Sequence, residues 1–331
     1  MAGNRTALGH ASSDLLLANV RSVSAPTALA FVVKASRPFC YALADRYAAL
    51  LWAADFHLRP SRVAQWRDAL TRCFPGQPMS EIDRLGIAHS RMICRDTLDT
   101  YRLSDKSQGL ARDTADSRDC YRLNGKEVLD QATAQGRGVI LVIAHFDRFF
   151  ALAPGLGRQG YPFAMLTTPI DATNPEYSDP YIHRYWAEKM RRTTAQSQGD
   201  WVTTNESIRS VYRLLAQGQT VLVAFDGNES VGPRVSCDFF QTQLALPQGL
   251  VRILGASGAC AVYGSVHTLV DDPQRVEIRI RPLPSEPDQV MEQAMRYLQE
   301  DLRANPWAWW QWRSLPALEQ IGKPAPDSLK K

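Results

Sequence analysis

The segment GRGVILVIAHFDRFFAL, from Gly136 to Leu152, decides the fold of this 331-residue chain. Its unbroken apolar run, Val139–Ala144, predicts a strand buried on both faces, as in the middle of an α/β sheet. His145 follows at the tip of that strand, where open α/β sheets bind their ligands. The ordinary pKa of histidine suits a general base near neutral pH. A histidine that only caps the strand by a backbone hydrogen bond fits equally well, so this segment alone leaves both interpretations open.

Predicted strands and helices alternate after Asn124-Gly125. The strands are expected at Gly138–Ala144, Tyr161–Thr167, Trp201–Val202, Thr220–Phe225, Cys260–Val266 and Arg275–Arg281. The helices are expected at Glu127–Gln135, from about Phe146 to the glycines at 155, 157 and 160, and at Ile182–Thr193, Glu206–Gln217, Pro247–Ser257 and Asp288–Asn305. This alternation predicts an α/β fold with a mixed, mostly parallel sheet flanked by helices.

The first third of the chain is predicted to be helical. Apolar residues recur at helical spacing over Pro60–Phe74, and a second, long helix is expected from Ser80 to about Ser104. The polar stretch Asp105–Asp119 predicts a loop or a weak helix. We therefore expect a helical N-terminal region, 1–123, packed on an α/β domain, 124–316, with a flexible tail at 317–331.

Composition excludes several classes of function. The net charge is only +4 and no Lys/Arg run stands out, so no nucleic-acid partner is expected. The six cysteines are scattered without a CxxC pair or zinc spacing, which indicates reduced thiols in a cytoplasmic protein. Neither a metal nor a cofactor is implied.

The best apolar stretch near the N-terminus is too short to span a membrane. Ala25–Val33 is interrupted by Lys34 and Arg37, below the roughly 18–20 residues that a span requires. The wider segment Thr27–Trp52 is rich in apolar and aromatic residues, with its charges on one helical face. It is expected either to pack against the domain, which we favour, or to lie at a membrane interface.

Three loops at or near predicted strand ends carry polar groups in an apolar setting. They are His145–Arg148, Phe225–Glu229 and Gly232–Phe240. If they converge at one edge of the sheet, they supply a base, a cation for an oxyanion or phosphate, and an apolar wall, which suits acyl transfer. Structural alternatives exist for each, because Asp226-Gly227 is a common turn pair, Phe239-Phe240 suits a core, and Arg234 suits an exposed surface.

Ordered motifs then relate the chain to a known family. They are ALTRCFPGQPMSEIDRL (Ala69–Leu85), GKEVLDQATAQGRGVILVIAHFD (Gly125–Asp147), Asn174-Pro175, Arg191-Arg192, Leu214–Phe240 and NPWAWWQWRS (Asn305–Ser314). By these motifs, their order and their spacing, the chain resembles the lipid A biosynthesis (lauroyl/myristoyl-type) acyltransferases, part of the lysophospholipid acyltransferase-like superfamily. The resemblance implies a glycerol-phosphate-acyltransferase-like fold and acyl transfer from a thioester.

The resemblance also assigns site residues. In that family a carboxylate five residues after the histidine orients the imidazole, and the imidazole deprotonates an acceptor hydroxyl. His145 falls on the histidine, but Phe150 stands where the carboxylate belongs. Asp147 is then the candidate partner; otherwise Asp226 replaces it from another strand, or the histidine acts alone.

The remaining site predictions concern substrate binding. Arg148 or Arg234 is expected to bind phosphate or the developing oxyanion, and Phe239 and Phe240 to line an acyl groove. The resemblance also implies one N-terminal transmembrane helix, where this sequence offers only the interrupted stretch Ala25–Val33. Trp307, Trp309, Trp310 and Trp312 are expected either at a lipid interface or packed beside the active site.

The departure at Phe150 leaves three interpretations: an acyltransferase with a rearranged dyad, an N-acyltransferase with altered chemistry, or a catalytically inactive lipid- or partner-binding protein. We favour an acyltransferase that uses acyl carrier protein or acyl-CoA as donor. Its acceptor would be a hydroxyl or amine of a lipid or amphiphilic small molecule. Its expected place is the cytoplasm, with peripheral contact to the cytoplasmic face of the inner membrane as an open option.

Overall fold

The computed structural model describes residues 37–102, 120–171, 174, 177, 180–206, 208–227 and 232–320. The helices are α1 (Arg37–Leu58), α2 (Pro60–Cys73), α3 (Met79–Arg102), α4 (Lys126–Ala134), α5 (Leu152–Gly157), α6 (Pro180–Ser197), α7 (Arg209–Ala216), α8 (Gly249–Ser257), α9 (Pro287–Ala304) and α10 (Leu315–Gln320). The strands are β1 (Tyr121–Asn124), β2 (Val139–Ile143), β3 (Phe163–Thr167), β4 (Gln198–Thr203), β5 (Thr220–Ala224), β6 (Arg234–Phe239), β7 (Thr242–Pro247), β8 (Cys260–Thr268) and β9 (Val276–Pro282). The predictions made for Ala25–Val33, Asp105–Asp119, Pro175, Glu229 and the tail beyond residue 320 lie outside the described residues.

Seven of the strands in the described part of the chain form one sheet in the order β1-β9-β8-β2-β5-β3-β4. All neighbouring pairs are parallel except β8 with β9, which are antiparallel. β6 and β7 form a separate antiparallel hairpin. The predicted α/β fold with a mixed, mostly parallel sheet is confirmed.

β2 lies at the centre of the sheet and is buried on both faces. Ile140 and Val142 join a core formed by α2, α7, α8, α9 and the hairpin. Val139, Leu141 and Ile143 join the opposite core, which α4 and α5 cover. An unbroken Val/Ile/Leu run is what such a position requires, because both faces of the strand exclude water.

The structure corrects three local predictions. No helix starts at Phe146: a turn comes first, then a 3₁₀ turn at Phe149–Ala151, and α5 starts only at Leu152. The segment predicted as a loop over Gly232–Phe240 contains β6, which pairs with β7. β1 lies inside the region predicted to be helical and pairs with the distant β9 at the edge of the sheet. Long-range pairing of these short segments, which local periodicity does not record, accounts for the last two differences.

Buried ion pairs join the N-terminal helices to the sheet domain. Lys189 of α6 donates to Asp96 of α3, and both side chains are almost fully buried. The Lys189 ammonium also lies 4.0 Å from the centre of the Phe150 ring. Burial raises the pKa of Asp96, and the nearby Lys189 charge opposes that rise. The pair holds α3 against α6 in a place that water does not reach.

Within the described residues, no helix combines the length and the apolar character that crossing a membrane would need.

Lys189→Met is expected to destabilise the fold strongly, because it leaves the Asp96 carboxylate buried without its cation. Loss of one partner of a buried pair costs about 3–5 kcal/mol, measured as the free energy of unfolding in urea. The control is Lys126→Met, which breaks an exposed 2.7 Å pair with Asp130 and should leave the unfolding midpoint nearly unchanged. Lys189→Met combined with Asp96→Asn should recover part of the loss. Equal effects of the two lysine variants would contradict this account.

Candidate active site

Two polar residues meet because β2 and β5 are parallel neighbours in register. Ile143 pairs with Ala224 at the carboxyl ends of these strands, and the Phe225 N–H donates to the Ile143 carbonyl at 2.9 Å. His145 therefore follows one strand at the height where Asp226 follows the other. Carboxyl ends of parallel strands are where α/β sheets place their sites.

The His145 imidazole is hydrogen-bonded to the Asp226 carboxylate. Nδ1 lies 2.7 Å from Oδ1, and the His145 backbone N–H donates to both carboxylate oxygens at 3.1 and 2.9 Å. Because a carboxylate accepts hydrogen bonds, this contact assigns the donor role to Nδ1, and Nε2 is the ring nitrogen on the side away from Asp226. The arrangement is that of a histidine base oriented by a carboxylate.

Burial differs sharply between the two partners. The Asp226 side chain is 0% exposed, whereas the imidazole is 27% exposed. The indole N–H of Trp309 donates to the second carboxylate oxygen, Oδ2, at 2.8 Å. Hydrogen-bond donors on both oxygens compensate the burial of this charge, and the exposed ring is the part that a substrate can reach.

Asp147, the predicted partner of His145, is turned to another strand. Its carboxylate accepts from the Thr268 N–H at 2.6 Å, the Thr268 hydroxyl at 2.9 Å and the Arg148 N–H at 2.9 Å. Asp147 has φ of 49°, a left-handed conformation that aspartate tolerates better than most residues. Burial raises its pKa, and the adjacent Arg148 charge opposes that rise. The structure thus corrects the predicted pairing: Asp226 lies against Nδ1, and Asp147 stabilises the turn.

Arg148 points away from the imidazole into the N-terminal helices. Its side chain is 1% exposed and donates to the Tyr41 hydroxyl at 2.5 Å, Asp99 at 2.8 Å and the Pro273 carbonyl at 2.9 Å. A guanidinium so engaged lies outside the reach of a substrate. Its predicted role in binding phosphate or an oxyanion does not fit this arrangement.

The aromatic residues after the turn separate into two surroundings. Phe149 meets the His145 ring edge to face, with ring centres 5.0 Å apart. Phe150, which stands where the resemblance expects a carboxylate, stacks on Phe149 at 4.2 Å and faces the Lys189 ammonium. Phe149 therefore forms an apolar wall beside the base, and Phe150 belongs to the buried joint with α6.

The sequence-predicted residues of the β6–β7 hairpin lie on the side of Trp309, which binds Asp226. Phe239 is fully buried against Trp309, 4.9 Å between ring centres, so its predicted place in an acyl groove is corrected to the core. Phe240 is half-buried at the hairpin tip and packs on Phe74. Arg234 is half-buried and donates to the Ala245 carbonyl at 2.8 Å.

The Trp-rich segment packs beside the site, one of the two outcomes left open for it. Trp309, Trp310 and Trp312 are buried, and Trp307 is half-buried. The link between Asp226 and Trp309 was missed in the sequence, since 83 residues separate them. The available signal is the Asp226-Gly227 pair, which directly follows the predicted strand Thr220–Phe225. In the structure this strand is β5, the neighbour of β2.

Comparison with known proteins gives the family. The model of the bacterial lipid A biosynthesis acyltransferases matches residues 26–313. The chain belongs to this family, and it is therefore an acyltransferase of lipid biosynthesis. None of the curated proteins matches the chain.

Asp226→Asn is expected to lower kcat by a factor on the order of 10³–10⁴, since the amide neither fixes the tautomer nor stabilises an imidazolium. The matched control is Asp147→Asn, which makes the same change two residues from His145. It should lower the melting temperature but keep most of the turnover per folded molecule. Steady-state acyl-transfer rates and thermal melts measure both effects. Loss of turnover only in Asp147→Asn would contradict the assigned pairing.

Proposed function

We propose that this chain transfers an acyl group from an acyl-carrier-protein or acyl-CoA thioester to a hydroxyl or amine of a lipid or amphiphilic acceptor. His145 is the general base and Asp226 is its partner. The 2.7 Å contact between Nδ1 and the buried carboxylate carries the proposal. Asp226 supplies the carboxylate that is missing at position 150. It follows β5, the strand next to β2.

The chemistry follows from the protonation of the ring. Nε2 takes the proton of the acceptor hydroxyl as its oxygen attacks the thioester carbonyl carbon, and Asp226 stabilises the imidazolium that forms. The tetrahedral intermediate then collapses with cleavage of the C–S bond. The imidazolium returns its proton to the departing thiolate, which leaves as a thiol, and the acyl group stays on the acceptor as an ester. An amine acceptor gives an amide by the same steps.

The surroundings of the base favour an apolar reactant. The Phe149 edge lies beside the imidazole, and Trp310 packs on Phe149 at 5.7 Å between ring centres. An acyl chain placed along this wall would exclude water from the thioester carbonyl. Arg234 is the remaining sequence-predicted cation for an anionic group of donor or acceptor.

His145→Ala is expected to reduce acyl transfer by about 10²–10⁴-fold, because the base is lost. The purified chain is incubated with acyl-carrier-protein or acyl-CoA thioesters and with a lysophospholipid, a hydroxylated glycolipid or a long-chain amine. Products are identified by mass spectrometry. His183→Ala, the same change on α6, should keep wild-type turnover. Full activity of His145→Ala would overturn the mechanism, and thioester binding without turnover in the wild type would favour the binding-only alternative.

We place the enzyme on the cytoplasmic face of the inner membrane through α1. Phe39, Leu43 and Leu50 share one face of this helix and are 58%, 42% and 68% exposed. The exposed Arg46 lies on the same face and suits anionic headgroups. An exposed apolar stripe with a cation is typical of helices that lie in the membrane interface.

Leu43→Glu with Leu50→Glu is expected to abolish co-sedimentation with vesicles of phosphatidylethanolamine and phosphatidylglycerol, because the charges oppose burial among lipids. The matched control is Ala64→Glu with Gln65→Glu, which adds the same charge at exposed positions of α2. It should pellet with vesicles as the wild type does. A wild-type protein that stays in the supernatant, or equal pelleting of both variants, would disprove this placement.

A further inference from the structure

We infer that Trp309 is a positioning residue for the proposed His145–Asp226 pair, acting through its indole N–H on the carboxylate, while the backbones of its neighbours Ala308 and Trp310 hold the histidine turn. The inference rests on the proposed function and names a further residue that this site needs. Trp309 is fully buried, so it touches neither acyl donor nor acceptor.

The indole settles which carboxylate oxygen faces the imidazole. Trp309 Nε1 donates to Asp226 Oδ2 at 2.8 Å, while His145 Nδ1 lies at Oδ1. A carboxylate on a short side chain can rotate, and a fixed donor on one oxygen keeps the other directed at the ring. The positive end of the N–H also draws charge away from the oxygen that it binds.

The backbone around Trp309 holds the turn that carries His145. Phe146 and Trp309 form an isolated antiparallel bridge. The Asp147 N–H donates to the Ala308 carbonyl at 2.7 Å, and the Trp310 N–H donates to the His145 carbonyl at 2.9 Å. The same short segment thus fixes the main chain from the His145 carbonyl to the Asp147 N–H, and it also binds the carboxylate opposite the histidine.

Aromatic packing orients the indole ring of Trp309. Its ring lies 4.9 Å from Phe239 and 5.0 Å from Trp312, measured between ring centres. In this packing the indole N–H is directed toward Asp226. Trp312 is equally buried in the same cluster, but its indole N–H donates to the Pro306 carbonyl at 2.7 Å. It is therefore a control for the loss of aromatic packing and of one indole hydrogen bond.

Trp309→Phe keeps an aromatic ring and removes the N–H. The Asp226 oxygen then loses a donor, its charge is less dispersed, and the imidazolium is favoured more strongly. The titration midpoint of His145 should move to higher pH, by about half a unit or more. Because the carboxylate is held less firmly, kcat should fall on the order of tenfold, while KM should stay within about twofold.

The experiment compares Trp309→Phe with Trp312→Phe in the full-length chain. Titration of ¹⁵N-labelled histidine by NMR, with His145→Ala assigning the signal, needs no turnover. The pH profile of kcat/KM provides the second readout, and thermal melts report the packing loss of each variant. The neighbouring charges of Asp226, Asp147 and Arg148 are unchanged in both variants.

We expect the titration midpoint and the acid limb of the profile to move in Trp309→Phe alone, with similar melting temperatures for both variants. Equal midpoints in the two variants would overturn the inference even if the enzyme is active. An inactive wild type would overturn the proposed function, and the NMR titration would still decide whether Trp309 acts on the pair. If Trp309→Phe fails to fold, the same titration of Asp226→Asn measures how far the carboxylate itself shifts His145, and no shift there would also refute the inference.

Discussion

The contact between His145 Nδ1 and the Asp226 carboxylate is the interaction around which this end of the molecule is arranged. It exists because β2 and β5 are parallel, adjacent and in register, so that the residues following each strand reach the same height. Parallel pairing here depends on the apolar strands that fill the centre of the sheet. The buried central strands of the sheet therefore set the positions of both side chains.

A buried carboxylate requires hydrogen-bond donors, and in this chain the donors come from segments that are distant in sequence. Asp226 receives them from His145, which follows β2, and from the Trp segment, and Asp147 receives them from the end of β8. Arg148 then anchors the same turn to Asp99 of α3. The N-terminal helices therefore belong to the support of the site, since they bind the residue that follows the histidine turn.

Local sequence patterns predict the central strand of this structure. They do not predict contacts between segments that are distant in sequence. The strand before His145 was predictable because an unbroken apolar run has few other places in an α/β fold. The sequence names Asp226 only as the alternative partner, because this pairing depends on strand order, which local periodicity does not record. Asp147 was favoured by its nearness in sequence, but its left-handed backbone turns the side chain toward Thr268. The sequence does not distinguish a groove wall from a core position for Phe239, because a short hairpin strand inside a Gly-containing segment lacks a distinct pattern.

Phe150 fits its surroundings, although the resemblance expects a carboxylate at this position. In the family pattern the helper carboxylate lies on the helix after the histidine, whereas here that helix starts later and Phe150 lies over the buried Lys189 ammonium. A carboxylate at this position would meet Lys189, which already binds Asp96, and that ion pair would compete with any contact to the imidazole. An aromatic ring can face the ammonium without this competition, since its attraction for a cation is weaker than that of a carboxylate. Orientation of His145 then has to come from the strand side, where Asp226 is fixed by the sheet and not by a helical turn.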